Sequence, residues 1–133
     1  MKNREIKFRA WDEERKLMIY DFENIEHPVA IEYYITGNNG ELKIGATKTN
    51  GDFYELKPLL STGLKDKNGK EIYEGDIYHQ GDTNIRYQVI FKDGGFVGNQ
   101  IGNKSLAGLQ HWIEKIEVIG NIHENAGLLA VAP

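Results

Sequence analysis

The feature that most constrains this chain is a recurring Asn-Gly pair set between short runs of β-branched and aromatic residues. The pairs fall at Asn39-Gly40, Asn50-Gly51 and Asn68-Gly69, and Asp93-Gly94-Gly95 supplies a fourth turn signal of the same kind. Both residues of such a pair tolerate positive φ, which the tight turns of antiparallel hairpins demand. The runs between them, "VAIEYYI" at 29–35, "LKIGAT" at 42–47, "FYEL" at 53–56 and "IRYQVIF" at 85–91, have strand composition. In the last of these Ile85, Tyr87, Val89 and Phe91 alternate with Arg86, Gln88 and Ile90, which predicts a strand with one buried face. A meander of short antiparallel strands follows. Fifteen glycines in a chain of 133 residues suit a small, strongly bent β fold better than a helical bundle.

The N-terminal stretch reads the same way. In "REIKFRA", Ile6, Phe8 and Ala10 alternate with Glu5, Lys7 and Arg9. That pattern predicts a strand whose charged face, Arg9 included, meets solvent. "DEERK" then turns the chain and "LMIY" returns it as a hairpin. One helix is expected, over Ser105–Lys115. Leu106, Leu109, Trp112 and Ile113 fall three and four residues apart, and Ser105 can cap the first turn. Gly108 weakens it. Trp11 and Trp112 are expected to anchor the core.

The expected fold is mainly β with one or two short helices. It comprises a β-rich N-terminal subdomain over residues 1–60 and a C-terminal SH3-like small β-barrel with its tail over 61–133. The seam is placed near Pro58–Ser61. Within the second part, Asn68 and Gly69 are expected to make a hairpin turn that sets register. Gly75 is expected to permit a sharp bend, and Asp76 to accept that bend's backbone N–H groups.

Several chemistries are excluded by residue type alone. The chain has no cysteine, so disulfides, thiolate nucleophiles, Fe–S clusters and cysteine zinc sites are out. Its four histidines, His27, His79, His111 and His123, show no ligand-pair spacing, and no metal or other cofactor is expected. Neither a G-x-G-x-x-G nor a Walker-type ending occurs in "KDGGFVGNQIGNK". The carboxylate groupings are Asp12-Glu13-Glu14, Glu74 with Asp76, and Asp93, and of these Glu74 and Asp76 flank Gly75 and could converge at a turn. General acid–base work needs them in contrasting environments around a cleft. Capping of the turn is the simpler role, so no catalytic residue is assigned and the protein is not expected to be an enzyme.

Charge points the same way. The net charge is -4 and opposite signs interleave, so no basic stripe marks a nucleic-acid interface. The candidate binding surface is Tyr73, Tyr87 and Arg86, which would suit base stacking beside a cation if the fold brings them together. No apolar run approaches membrane-spanning length, and the charged N-terminus lacks the apolar core of a signal peptide.

Three stretches, in order, carry a family resemblance: "REIKFRAWDEERKLMIY" near the N-terminus, "STGLKDKNGKEIYEGDIY" in the middle and "IEVIGNIHEN" near the C-terminus. Together they resemble the YopX family of small phage and prophage proteins. His123 stands where the family commonly has an aromatic. The resemblance implies a β-rich fold with a barrel-like C-terminal part, self-association, and residence in the cytoplasm of a bacterial host. It transfers no catalytic residue. The expected partners are a second copy of the chain or a host or phage protein, with nucleic acid as the alternative and no membrane.

Overall fold

The computed structural model of the chain describes residues 7–20, 30–35, 42–47 and 53–130. Strands dominate these residues, and the only helical elements among them are two single 3₁₀ turns, Gln110–Trp112 and Ala126–Leu129. The chain divides into two compact units, Phe8–Leu59 and Leu60–Pro133 together with Met1–Lys7.

The Phe8–Leu59 unit holds β1 (Phe8–Asp12), β2 (Leu17–Ile19), β3 (Ala30–Ile35), β4 (Leu42–Thr47) and the first part of β5 (Phe53–Lys65). They form one sheet in the order β2-β1-β5-β4-β3, with β1–β2, β3–β4 and β4–β5 antiparallel. The β1–β2 hairpin pairs Ala10 with Ile19 and Asp12 with Leu17. Its turn takes positive φ at Lys16 and is tied by Asp12, whose Oδ1 accepts the Arg15 N–H at 3.1 Å. Asp12 Oδ2 also accepts the Tyr54 hydroxyl at 2.7 Å. Burial, then the Asp12 hydrogen bond and charge, raise the Tyr54 phenol above its ordinary value of 10.0.

Both faces of β1 are covered, which corrects the one-faced reading of "REIKFRA". Ala10 packs with Ile19 and Leu56 on one side, and Trp11 packs with Met18 and Leu59 on the other. Arg9 is 1% exposed. It sits opposite Tyr20, to whose hydroxyl it donates at 3.3 Å, with the guanidinium 5.9 Å from the ring centre. Arg9 shares the Trp11 side of β1, which is covered and not solvated, and the tyrosine ring lies over its guanidinium. The expected turns at Asn39-Gly40 and Asn50-Gly51 lie outside the described residues, as do His27 and Pro28.

Pro58 stands inside β5, a strand that runs unbroken through the expected seam. The β4 ladder ends at Leu56 and the ladder with the next strand begins at Ser61, so Pro58 falls between those two ladders.

In the second unit, the rest of β5 pairs with β6 (Glu71–Tyr73). A five-stranded antiparallel sheet follows, in the order β10-β9-β8-β7-β11. Its strands are β7 (Asp76–His79), β8 (Arg86–Lys92), β9 (Gly95–Gln100), β10 (Leu106–Gly108) and β11 (Glu117–Asn121). The core gathers Ile72, Tyr78, Val89, Leu109, Ile116 and Val118. Burying an aliphatic side chain of this kind is worth about 1.5–3 kcal/mol before entropy is counted.

Alternation along β8 sends Tyr87 and Val89 inward, where Tyr87 stacks on Tyr78 with centroids 5.2 Å apart. Phe91 shares their parity but is 54% exposed, because it stands at the turn end of the hairpin, edge-on to Phe96. The β8–β9 turn is the two-residue kind expected of Asp93-Gly94, with φ of 52° and 85°.

The expected helix over Ser105–Lys115 does not form. Leu106–Gly108 pairs with β9 as a strand, and only Gln110–Trp112 makes a single 3₁₀ turn. Leu106 and Trp112 are exposed, so the apolar stripe has no core to meet; Leu109 alone of the four is buried. Ser105 does not cap a helix. Its N–H and hydroxyl both go to the Asn103 carboxamide oxygen, at 2.8 and 2.9 Å, which turns the chain into β10. Trp112 is therefore no core anchor, whereas Trp11 is one.

Candidate functional site

The second and third of the singled-out stretches meet in the second unit, at β7 and β11. The bend Glu74–Gly75–Asp76 is bonded to three other segments. Glu74 N–H donates to Leu60 O at 2.9 Å, Gly75 N–H to Val89 O at 2.9 Å, and Ile122 N–H to Gly75 O at 3.0 Å. Gly75 has φ of 89°, a region where a Cβ is strained. Asp76 is 1% exposed and its Oδ2 accepts the Tyr73 N–H at 2.7 Å. The carboxylate that stood beside Glu74 in sequence thus faces backbone. Glu74 is half-buried on the turn.

Asn68 and Gly69 occupy the turn between β5 and β6, with Gly69 at φ of 81°. The residue that organises this turn is Asp66. Its Oδ1 accepts the N–H groups of Asn68 and Lys70, each at 2.9 Å, and its Oδ2 accepts the Val118 N–H at 2.9 Å. Burial alone would raise this carboxyl. The backbone donors Val118, Lys70 and Asn68 outweigh burial and hold it below its ordinary value of 3.8.

Beside it, His79 is 5% exposed and pairs with Glu117 at 3.0 Å. Its Nδ1 accepts the Gly81 N–H at 3.1 Å, which leaves Nε2 to carry the proton toward Glu117. Glu117 also faces Lys67 at 3.9 Å and Asn68 at 3.4 Å, partly exposed contacts of small energetic weight. At the other end of β11, Asn121 Oδ1 accepts the N–H groups of His123 and Glu124, at 3.0 and 2.8 Å. Asn121 and Asn125 are joined reciprocally: Asn125 Oδ1 accepts the Asn121 N–H at 3.1 Å, and Asn121 O accepts the Asn125 N–H at 2.9 Å. Among the described residues no group of three or more His, Asp or Glu is placed to hold a metal ion.

Tyr73, Tyr87 and Arg86 are not one surface. Arg86 and Tyr87 are consecutive on β8 and so point to opposite faces. Tyr87 packs on Tyr78 against the core, while the Arg86 guanidinium donates to Ala130 O at 2.6 Å. Tyr73 lies on β6, opposite Ser61.

Another surface emerges at the far edge of the sheet. Ser105 O accepts the Gln100 N–H at 2.9 Å, so Ser105 and Ala107 face β9. Leu106 and Gly108 then present their N–H and C=O outward. Among the described residues no strand pairs beyond β10. The strand "LAG" carries no charge or proline, and Leu106 is 47% exposed. Proteins usually blunt such edges with charge, proline or a bulge. Sequence reading missed this edge because the same residues carry helical spacing.

Comparison with known proteins fits these elements together. The model of the YopX protein family matches residues 7–130. Protein EF1440 from Enterococcus faecalis is 31% identical, and the match covers 94% of this chain and 98% of that one, with a TM-score of 0.58. Protein yopX from Bacillus subtilis is 22% identical over 95% of this chain and 97% of that one, with a TM-score of 0.55, and shares the fold. No curated protein matches the chain.

Proposed function

The chain belongs to the YopX protein family, and from that premise we propose that it is a phage- or prophage-encoded accessory protein of the bacterial cytoplasm that acts by binding protein, first of all a second copy of itself. The observation that carries this reading is the open, uncharged edge of β10 with Leu106 exposed upon it. Two copies of such an edge pair antiparallel about a two-fold axis, each satisfying the other's outward N–H and C=O groups. The small-barrel character of the second unit belongs to this proposal as well.

Binding is favoured over catalysis because Asp76 is committed to a backbone N–H. Protein is favoured over nucleic acid because Tyr87 and Arg86 diverge across β8.

Light scattering after size exclusion tests the reading. Wild type is expected to show concentration-dependent association. Leu106→Pro, which removes an outward N–H and no bond to β9, is expected to be a folded monomer. Wild type that stays monomeric at every concentration would overturn it.

A further inference from the structure

Trp112 is a large aromatic side chain that the core does not use. It is 37% exposed, on a 3₁₀ turn none of whose residues is buried. The segment around it is fastened to the core at three points, by Leu109, Ile113 and Ile116. Its backbone also closes on itself: Trp112 N–H donates to Leu109 O at 3.1 Å and Lys115 N–H to Trp112 O at 2.8 Å. The turn is therefore fixed, and the side chains of Gln110, His111, Trp112, Glu114 and Lys115 are exposed upon it. With Ile113 they line an open concavity of about 360 Å³, at the lower end of the roughly 300–1,000 Å³ typical of small-molecule sites. His111 stands edge-on to the indole, with ring centroids 5.0 Å apart. The Lys115 ammonium lies 5.7 Å from the indole centre.

We propose that this concavity binds a single nucleotide, recognised as a planar base that carries an anionic group. Trp112 offers an indole face, and any base can stack on it because every base has a π-face. Lys115 offers the phosphate a point charge beside that ring, where base and phosphate of one molecule meet both side chains together. Gln110 and Glu114 add an amide and a carboxylate, donor and acceptor types that pair with a base edge. One nucleotide fits better than a strand. A strand needs successive stacking platforms along a positive groove, whereas this concavity holds one indole and one lysine, and its Glu114 repels a polyanion. The inference stands independently of pairing at β10.

The test is NMR of the whole chain titrated with adenosine monophosphate. The two tryptophans give two indole N–H signals, assigned with Trp112→Phe. The Trp112 signal is expected to move saturably and that of buried Trp11 to stay in place. Adenosine, which lacks the anion, and ribose phosphate, which lacks the base, are each expected to bind at least about tenfold more weakly. Lys115→Gln should weaken the nucleotide by about the same factor and leave adenosine unchanged. Both substitutions change exposed side chains, so the remaining amide signals should keep their positions. A Trp112 signal that does not move at millimolar nucleotide would overturn the proposal, as would adenosine binding as tightly as its monophosphate. An adenine oligonucleotide binding more than about tenfold tighter than the mononucleotide would overturn the single-nucleotide assignment.

Discussion

Asp66 accepts three backbone N–H groups drawn from two segments of the chain, and its removal strands all three. Losing such a partner inside a protein costs about 1–3 kcal/mol, so Asp66→Ala is expected to lower stability in urea by that amount. The pH dependence has a definite sign. The folded carboxyl lies below its ordinary value of 3.8, so the folded state binds this proton less tightly than the unfolded state. The stabilisation is complete above that ordinary value and is lost as pH falls through the folded one. Urea titrations at successive pH values below about 4 should therefore show wild type losing more stability than Asp66→Asn, which has no such proton to gain. Asp76→Ala removes the acceptor of the Tyr73 N–H and is expected to cost about 0.5–2 kcal/mol, in the manner of a lost helix cap. Tyr78 and Gly98 form a different kind of pair. A Cβ on Gly98 would fall 1.7 Å from Tyr78 Oη, and the tyrosine is wholly buried and stacked on Tyr87. Gly98→Ala should thus destabilise by about 1–3 kcal/mol or more, as overpacking does. Tyr78→Phe should be neutral or stabilising by thermal melt, because the buried hydroxyl has no hydrogen-bond partner among the described residues.

At the scale of the element, turn chemistry was the most legible signal. Asp93-Gly94 closes β8 onto β9 with both residues at positive φ. Gly94→Ala should cost about 1–2 kcal/mol, the penalty of a Cβ in the left-handed region, measurable by urea titration. The Gly75 bend was legible for the same reason, since glycine before a strand has few other uses. Periodicity misled where it was read without a neighbour. Leu106, Leu109, Trp112 and Ile113 have helical spacing, but the Asn103 side chain and the β9 ladder claim the first of them. Arg9 looked like a solvent-facing residue because alternation cannot show that both faces of β1 are covered. Asp66 and Asn125 are not legible in the same way, because the fold alone brings them to their partners Val118 and Asn121. An acidic or amide residue just ahead of an Asn-Gly pair, and a second Asn four residues after the first, are the local hints that were there.

Over the whole molecule, the β-rich class followed from turn density and strand composition, whereas the proposed binding edge did not. A strand edge is a property of topology, and no stretch of sequence announces that it will be last in its sheet. The sheet of the second unit has two such edges, and they are treated differently. The edge of β11 is closed by side chains, and that of β10 carries no charge, proline or partner strand among the described residues. This asymmetry is the core of the functional reading, since it selects one seam for self-association. The absence of cysteine makes that seam directly testable, because any introduced thiol is alone in the chain. Cysteines placed singly at Leu106, Ala107 and Gly108, with a control at Lys92, are exposed to mild oxidant and run on a non-reducing gel. Antiparallel pairing of β10 about a two-fold axis sets the position on that axis opposite its own copy, so a disulfide-linked dimer should form at one or more of the three β10 positions and not at the control. Dimer yields at all three no greater than at Lys92 would contradict the account.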